Sequence, residues 1–217
     1  MGPLRRLAGS VPEVFGLRLN GSRSFLTEAA EVIVLALGLY LVITFAIQTV
    51  HVIGLSMYPS LNDNDYLVAN KLDYRLHPPQ RGDIIIMRDP FDSSKDFIKR
   101  VIAMPGEELL IKDGHVYING HLLNEPYLRS DEPWNNNGNW PPPGSVDAGK
   151  PRVIPPNQYF VMGDNRNASS DSRVFGPVAR DRIEARAWLR IWPLPKMGTV
   201  DQVKPTLETS SSLPVAA

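Results

Sequence analysis

From Val32 to Val50 the chain runs nineteen residues without a charge, VIVLALGLYLVITFAIQTV. As a helix rising about 1.5 Å per residue the run measures roughly 28 Å, close to the hydrocarbon thickness of a bilayer. It is longer than the roughly 7–15 apolar residues of a cleavable signal sequence, and Gln48-Thr49-Val50-His51 lacks the small residues such a cleavage site needs. Val, Ile and Leu fall on every face, unlike the one-sided stripe of a soluble core helix. The run predicts a retained transmembrane helix over residues 29–50. Ahead of it, Arg5, Arg6, Arg18 and Arg23 stand against the single acid Glu13 among the first 24 residues. Residues 1–28 are therefore expected to form a basic arm, and the positive-inside rule puts it in the cytoplasm. Everything after Val50 would then emerge on the outer face, with Ser56 a few residues from the lipid.

Composition narrows the chemistry of that outer part. Lys plus Arg and Asp plus Glu both total 23, so no net charge favours nucleic acid. The absence of cysteine removes disulfides, thiolate metal sites and a thiol nucleophile. Beyond Leu61 the apolar period changes to that of strands: Tyr66–Ala69, Asp83–Met87, Phe97–Met104, Leu109–Ile111, Val116–Ile118, Leu122–Leu123, Tyr159–Met162 and Ile183–Trp192. Asp113-Gly114 and Asn119-Gly120 are hairpin turns. No long helical stripe appears after Val50. The expected fold is mainly β: a single N-terminal membrane helix, then an antiparallel β domain over 51–196 with an irregular insertion at about 125–150. Residues 197–217, rich in Ser, Thr and Pro from Lys204 onward, read as a disordered tail.

Three stretches carry chemistry-bearing residues. Gly54-Leu-Ser-Met-Tyr-Pro-Ser-Leu61 puts a serine in a segment that Pro59 bends away from helix. A serine attacks at neutral pH only when a base takes its proton. The four histidines, His51, His77, His115 and His121, sit in no metal-binding pattern, and nothing singles one out as the base. A lysine can serve if an apolar site strips its charge. In Phe97-Ile98-Lys99-Arg100-Val101, strand alternation puts Lys99 between Phe97 and Val101 on an otherwise apolar face. Two readings stand there: a neutral base, or an edge lysine that snorkels to water. The third stretch, Met162-Gly-Asp-Asn-Arg-Asn-Ala-Ser-Ser-Asp-Ser-Arg173, is dense in short hydrogen-bonding side chains and opposite charges. It can lock itself through pairs such as Asp171 with Arg173, or be a solvated surface turn.

A hydrophobic helix, then Gly-Leu-Ser-Met-Tyr-Pro-Ser-Leu, Arg-Gly-Asp-Ile-Ile-Ile, Phe-Ile-Lys-Arg-Val-Ile-Ala-Met-Pro-Gly-Glu and Gly-Asp-Asn-Arg-Asn-Ala-Ser-Ser-Asp-Ser-Arg, in that order, resembles bacterial type I signal peptidase, the leader peptidase family. The resemblance spans roughly Glu28 to Pro195. It implies a serine endopeptidase of signal-peptidase fold that removes signal peptides from exported preproteins, without metal or other cofactor. Its setting would be the bacterial plasma membrane, with the lipid bilayer and the protein export machinery as its surroundings and the catalytic domain outside. By matched position, Ser56 would be the nucleophile, Lys99 the general base and Ser169 the hydroxyl that orients the lysine. Asp164, Arg166, Asp171 and Arg173 would form the polar frame. Val52, Ile53, Met57, Leu61, Phe97 and Ile98 would wall pockets for small residues, often alanine. One departure from part of the family is Gly54, where some members carry a serine that helps to bind the oxyanion. Two other classes fit parts of the pattern. A self-cleaving Ser-Lys repressor would carry a DNA-binding domain where this chain has its apolar helix, and a membrane-anchored binding module would leave Ser56 and Lys99 as ordinary strand residues.

Overall fold

The computed structural model describes residues 23–134, 138–200 and 203–212. The chain divides into one unit up to Val42 and a second from Ile43 onward. Helix α1 (Arg23–Ala46) makes up the first unit and ends within the second. Its stretch Phe25–Ala46 is long and apolar enough to cross a membrane, and Phe25, Leu35 and Tyr40 are each more than 60% exposed. Apolar surface bare along a whole helix needs an apolar surrounding. Of the basic arm expected over 1–28, residues 1–22 lie outside the described residues and 23–28 are already helical.

The uncharged run does not stay helical to Val50. The helix stops at Ala46, and strand β1 (Ile47–His51) pairs antiparallel with β2 (Tyr66–Asn70), from Ile47 opposite Asn70 to His51 opposite Tyr66. Absence of charge cannot tell a helix from a strand. The β-branched Ile47, Thr49 and Val50 suit a pleated surface, and a partner strand is there to take their backbone groups.

The second unit is built from antiparallel strands. Its remaining elements are the short helix α2 (Asp73–Leu76), β3 (Ile84–Arg88), β4 (Asp96–Ala103), β5 (Glu108–Lys112), β6 (His115–Ile118), β7 (His121–Asn124), β8 (Arg152–Val153), β9 (Gln158–Met162), the short helix α3 (Ser172–Phe175), β10 (Val178–Ala179), β11 (Ile183–Trp192), β12 (Gly198–Thr199) and β13 (Thr206–Ser212). Among the described residues, one sheet has the order β1-β2-β11-β3-β4-β9-β10, with β12 on β11, and the other the order β13-β7-β6-β5-β8. The hairpin signals fold as expected. Asp113 and Gly114 take φ of +50° and +77°, and Asn119 and Gly120 +51° and +81°, the left-handed pairs that two-residue turns require.

The insertion and the tail hold more order than their composition suggests, and only the tail differs from its expectation. The insertion is irregular, yet Trp140 bridges to Ile111 and packs edge-on against Phe160 with ring centres 4.7 Å apart. The tail expected to be disordered from 197 supplies β12 and β13, the latter pairing with β7; residues 201–202 and 213–217 lie outside the described residues. The Ser- and Thr-rich composition of the tail gives no strand signal, because an edge strand is stabilised by backbone bonds to a neighbour that composition does not reveal.

The core lies under both sheets. Val50, Leu61, Leu67, Ile84, Ile86 and Ala185 form one cluster, and Ile102, Leu109, Ile118, Trp140, Phe160 and Met162 another. Phe160 has no exposed surface. Phe160→Ala removes its ring from a filled space beside Trp140, and should lower the unfolding free energy by about 3–5 kcal/mol in a denaturant titration of the full chain.

Candidate active site

The turn that presents Ser56 is fixed from both sides. Val52 N–H donates to the Asp65 carbonyl at 2.8 Å, and Asn64 N–H returns to the Val52 carbonyl at 2.9 Å. Gly54, at φ +89°, donates its N–H to an Asp63 carboxylate oxygen at 2.7 Å. A side chain is strained at that φ, which accounts for a glycine two residues before the serine. Downstream, Leu61 N–H reaches the Met57 carbonyl at 2.9 Å, and the Tyr58–Pro59 bond is cis. Met57 and Leu61 are buried and hold the turn to the core.

Lys99 comes from the middle of β4, paired there with Ile85 of β3. Its side chain runs into the protein instead of snorkelling, and only 3% of the residue is exposed. Nζ lies 3.1 Å from Ser56 Oγ and 3.0 Å from the Ile98 carbonyl, with the Phe97 ring centre 5.0 Å away. Burial pushes its pKa down to about 8, while the negative charges of Asp171 and Asp164 pull the other way. Each of those acids has its own guanidinium. Arg173 holds Asp171 through Nε and Nη2, both at 2.8 Å. Arg100 grips Asp164 through Nε at 2.8 Å and Nη2 at 2.7 Å. Pairing each carboxylate with an arginine limits how far it can restore charge to the lysine. For Asp171, burial alone would raise the pKa, but the bonds from Arg173 outweigh it and keep the carboxyl below its usual range.

The 163–173 loop packs directly on the serine turn. Asn165 N–H donates to the Ser56 carbonyl at 3.0 Å, and Gly163 N–H donates to Asp171 at 3.1 Å. A Cβ on Gly163 would stand 2.4 Å from the Ser56 carbonyl oxygen and 2.3 Å from Ser169 Oγ. Only a glycine allows this approach. Asp171 also caps α3 by accepting from Arg173 N–H at 3.2 Å.

The structure thus brings Ser56, Lys99, Asp164, Asp171 and Arg173 together. Asp171 pairs with Arg173, and the other two frame residues bond partners outside the loop. Asp164 bonds Arg100 of β4, and Arg166 bonds Glu125 through two contacts of 3.0 and 2.5 Å while its Nε holds the Gly163 carbonyl at 3.0 Å. Ser169 Oγ is buried and lies on the Asp171 side, where its hydroxyl helps to lower that carboxyl's pKa, and the bonds of Lys99 go to Ser56 and Ile98. Of the expected pocket walls, Val52, Met57 and Leu61 fill the core beneath the turn. Ile53 is 82% exposed, and Phe97 and Ile98 are half-buried. Sequence reasoning missed Arg100 and Glu125. Alternation already put Arg100 on the face opposite Lys99, and an arginine buried in a strand core must find a carboxylate.

A family model described as signal peptidase, peptidase S26, matches residues 26–192. The chain belongs to the signal peptidase family. It is 37% identical over 186 residues to a probable signal peptidase I-2 of Synechocystis sp., covering 82% of this chain and 78% of that protein. A signal peptidase I of Leptolyngbya laminosa is 38% identical over 176 residues, covering 76% of this chain and 77% of its own. One of Bacillus caldolyticus is 39% identical over 142 residues, covering 64% and 76%. Members of this family are membrane-associated, in keeping with the apolar helix α1.

Two outcomes check the site. Gly163→Ala must displace the Ser56 carbonyl, and peptidase activity should fall by about a hundredfold, as misplacements near 1 Å do, while the enzyme stays folded by circular dichroism. Lys99 is a stability cost. Its folded pKa of about 8 lies below the ordinary 10.5, so the folded state binds fewer protons between those values and stability rises with pH across that window. Lys99→Met should therefore raise the unfolding free energy by roughly 3 kcal/mol at pH 7, with the gain shrinking toward pH 10.5 in denaturant titrations.

Proposed function

We propose that this chain is a membrane-anchored serine endopeptidase that removes signal peptides from exported preproteins, with Ser56 as nucleophile and Lys99 as general base. The observation that carries the reading is the 3.1 Å separation of Lys99 Nζ from Ser56 Oγ, with the lysine buried and its pKa lowered. Family membership supports the same reaction.

In the proposed reaction, neutral Lys99 takes the Ser56 proton as Oγ attacks the scissile carbonyl carbon. The tetrahedral oxyanion is offered the Ser56 backbone N–H. Collapse of that intermediate breaks the peptide bond, and the new N-terminal amine leaves with the proton from the Lys99 ammonium. A water molecule then gives its proton to Lys99 and attacks the ester, which releases the signal peptide and restores the serine. Asp171–Arg173 and Asp164–Arg100 hold the loop and β4 in register, and Arg166 fastens the loop to Glu125. Ser169, buried beside Gly163, would orient the lysine once the substrate fills the cleft. The signal peptide would lie extended, with small residues of Ala-x-Ala type facing Ile53, Phe97 and Ile98 over the buried Val52, Met57 and Leu61.

Helix α1 would span the bilayer with the arginine-rich end in the cytoplasm and the β unit on the outer side. Only Ile47–Leu55 separate it from Ser56. Enzyme and substrate would then share two dimensions, because the apolar part of a signal peptide also lies in lipid, and their effective concentration rises. No metal enters the scheme.

A protonated Lys99 cannot accept a proton, so kcat/KM for a preprotein should climb with pH and level off above an apparent pKa of about 8. Arginine cannot deprotonate, and Lys99→Arg should be as inactive as Lys99→Ala. A Lys99→Arg enzyme that still releases signal peptide would remove Lys99 as the base.

A further inference from the structure

Next to the last residues of α1, the second unit carries a cationic cleft that peptide hydrolysis does not use. Lys71, Arg75, Arg88 and Arg180, with Asp181 and Glu184, line a space of about 310 Å³. Glu184 is already bonded to Arg88 at 2.5 Å. Lys71, Arg75 and Arg180 have no carboxylate within 4.0 Å among the described residues. Arg180 is held instead by the carbonyls of Ile183 and Tyr74. Asp181 in the lining and Asp96 near Lys71 offset part of this charge, and among the described residues no cation of the three is held in an ion pair.

The position of that charge is set by the helix end. Lys71 N–H donates to the Ala46 carbonyl at 2.8 Å, and the Arg75 guanidinium stacks 3.7 Å from the centre of the Phe45 ring. Tyr74, between them, is buried with its hydroxyl bonded to Asp83 at 3.1 Å, and Asp73 is paired with Arg186 at 2.9 Å, so the α2 turn is pinned inward by both. Its other faces carry Leu72 and Leu76, exposed by 36% and 75%. Bare leucines beside unpaired cations at the foot of a hydrophobic helix match the depth of lipid headgroups, where apolar side chains enter the acyl boundary and cations meet phosphate.

We propose that this cleft binds the phosphate of an anionic lipid headgroup in the leaflet where α1 ends. The proposal rests on the reading that α1 spans the bilayer. Lys71 and Arg75 reach the phosphate from the helix side with Arg180, packed on Tyr74, beside them, while Leu72 and Leu76 lie against the acyl chains. Strand β1 runs from this junction to the Ser56 turn, so a headgroup held here sets the height of the hydroxyl above the membrane.

The test uses the full-length protein reconstituted in phosphatidylcholine vesicles with spin-labelled phosphatidylglycerol or spin-labelled phosphatidylcholine, read by electron paramagnetic resonance. The expected result is an association preference for phosphatidylglycerol of about three- to tenfold at low salt, falling toward one in 1 M NaCl. Lys71→Gln with Arg75→Gln should bring the preference close to one. Lys112→Gln with Lys150→Gln, exposed cations elsewhere, should leave it intact. All variants should cleave a soluble peptide substrate at the wild-type rate, which shows that they are folded. Equal association of the two lipids with the wild type, or a preference that survives Lys71→Gln with Arg75→Gln, overturns the proposal. Inorganic phosphate, titrated calorimetrically into the detergent-solubilised protein, should give no saturable binding; saturable binding lost in the double variant, with no lipid preference, would make this a soluble-anion site instead. Extraction of the wild type by alkaline carbonate would overturn the membrane-spanning reading, and the lipid site with it, while leaving the peptidase reading in place.

Discussion

The arrangement depends on keeping one amine dry. An ammonium taken out of water without a counter-ion loses its hydration, and proteins avoid that loss by shifting the pKa until the group is neutral. Lys99 is in that position, with the Ser56 hydroxyl and the Ile98 carbonyl as its hydrogen-bond partners. Burial brings the pKa down to about 8, so the neutral form, with its lone pair free for the hydroxyl, is reached within a unit or so of neutral pH. The same desolvation that destabilises the fold would therefore suit Lys99 to the role of base proposed above, with stability and chemistry opposed at one atom.

Keeping the amine neutral constrains the charges around it. Two carboxylates near a buried lysine would ordinarily return its proton. Here Asp164 and Asp171 are both buried, and each is held in bidentate fashion by an arginine. Those pairs add little stability over apolar residues of the same volume, but they tie distant segments together in one geometry. Arg100–Asp164 joins β4 to the loop after β9, and Arg166–Glu125 joins that loop to the chain after β7. Through Asn165 and Gly163 the loop then bears directly on the backbone of Ser56.

The apolar helix and the β unit meet the same demand from the other side. A helix satisfies its own backbone groups and can cross hydrocarbon, whereas β1 needs a partner and begins only where β2 is present to pair with it. If α1 spans a bilayer as proposed, its end is the last point at which lipid could surround the chain. Lys71, Arg75 and Arg180 and the exposed Leu72 and Leu76 lie beside this end of the helix, as the proposed headgroup site requires.

Much of this could be read from the residues in order. The uncharged run, the change from helical to strand period, the two left-handed turns and the Ser56, Lys99 and 162–173 stretches are local patterns, and local patterns report backbone conformation and burial. The pairing of charges could not be read that way. Arg100 bonds an acid 64 positions away and Arg166 one 41 positions away, and sequence spacing carries no record of which partner a guanidinium reaches. The boundary at Ala46, the strand in the serine-rich tail and the burial of Val52, Met57 and Leu61 beneath the turn were likewise decided by neighbours. Residue type determined which groups can do the chemistry; packing decided which of them meet, because contact and desolvation belong to the folded chain as a whole.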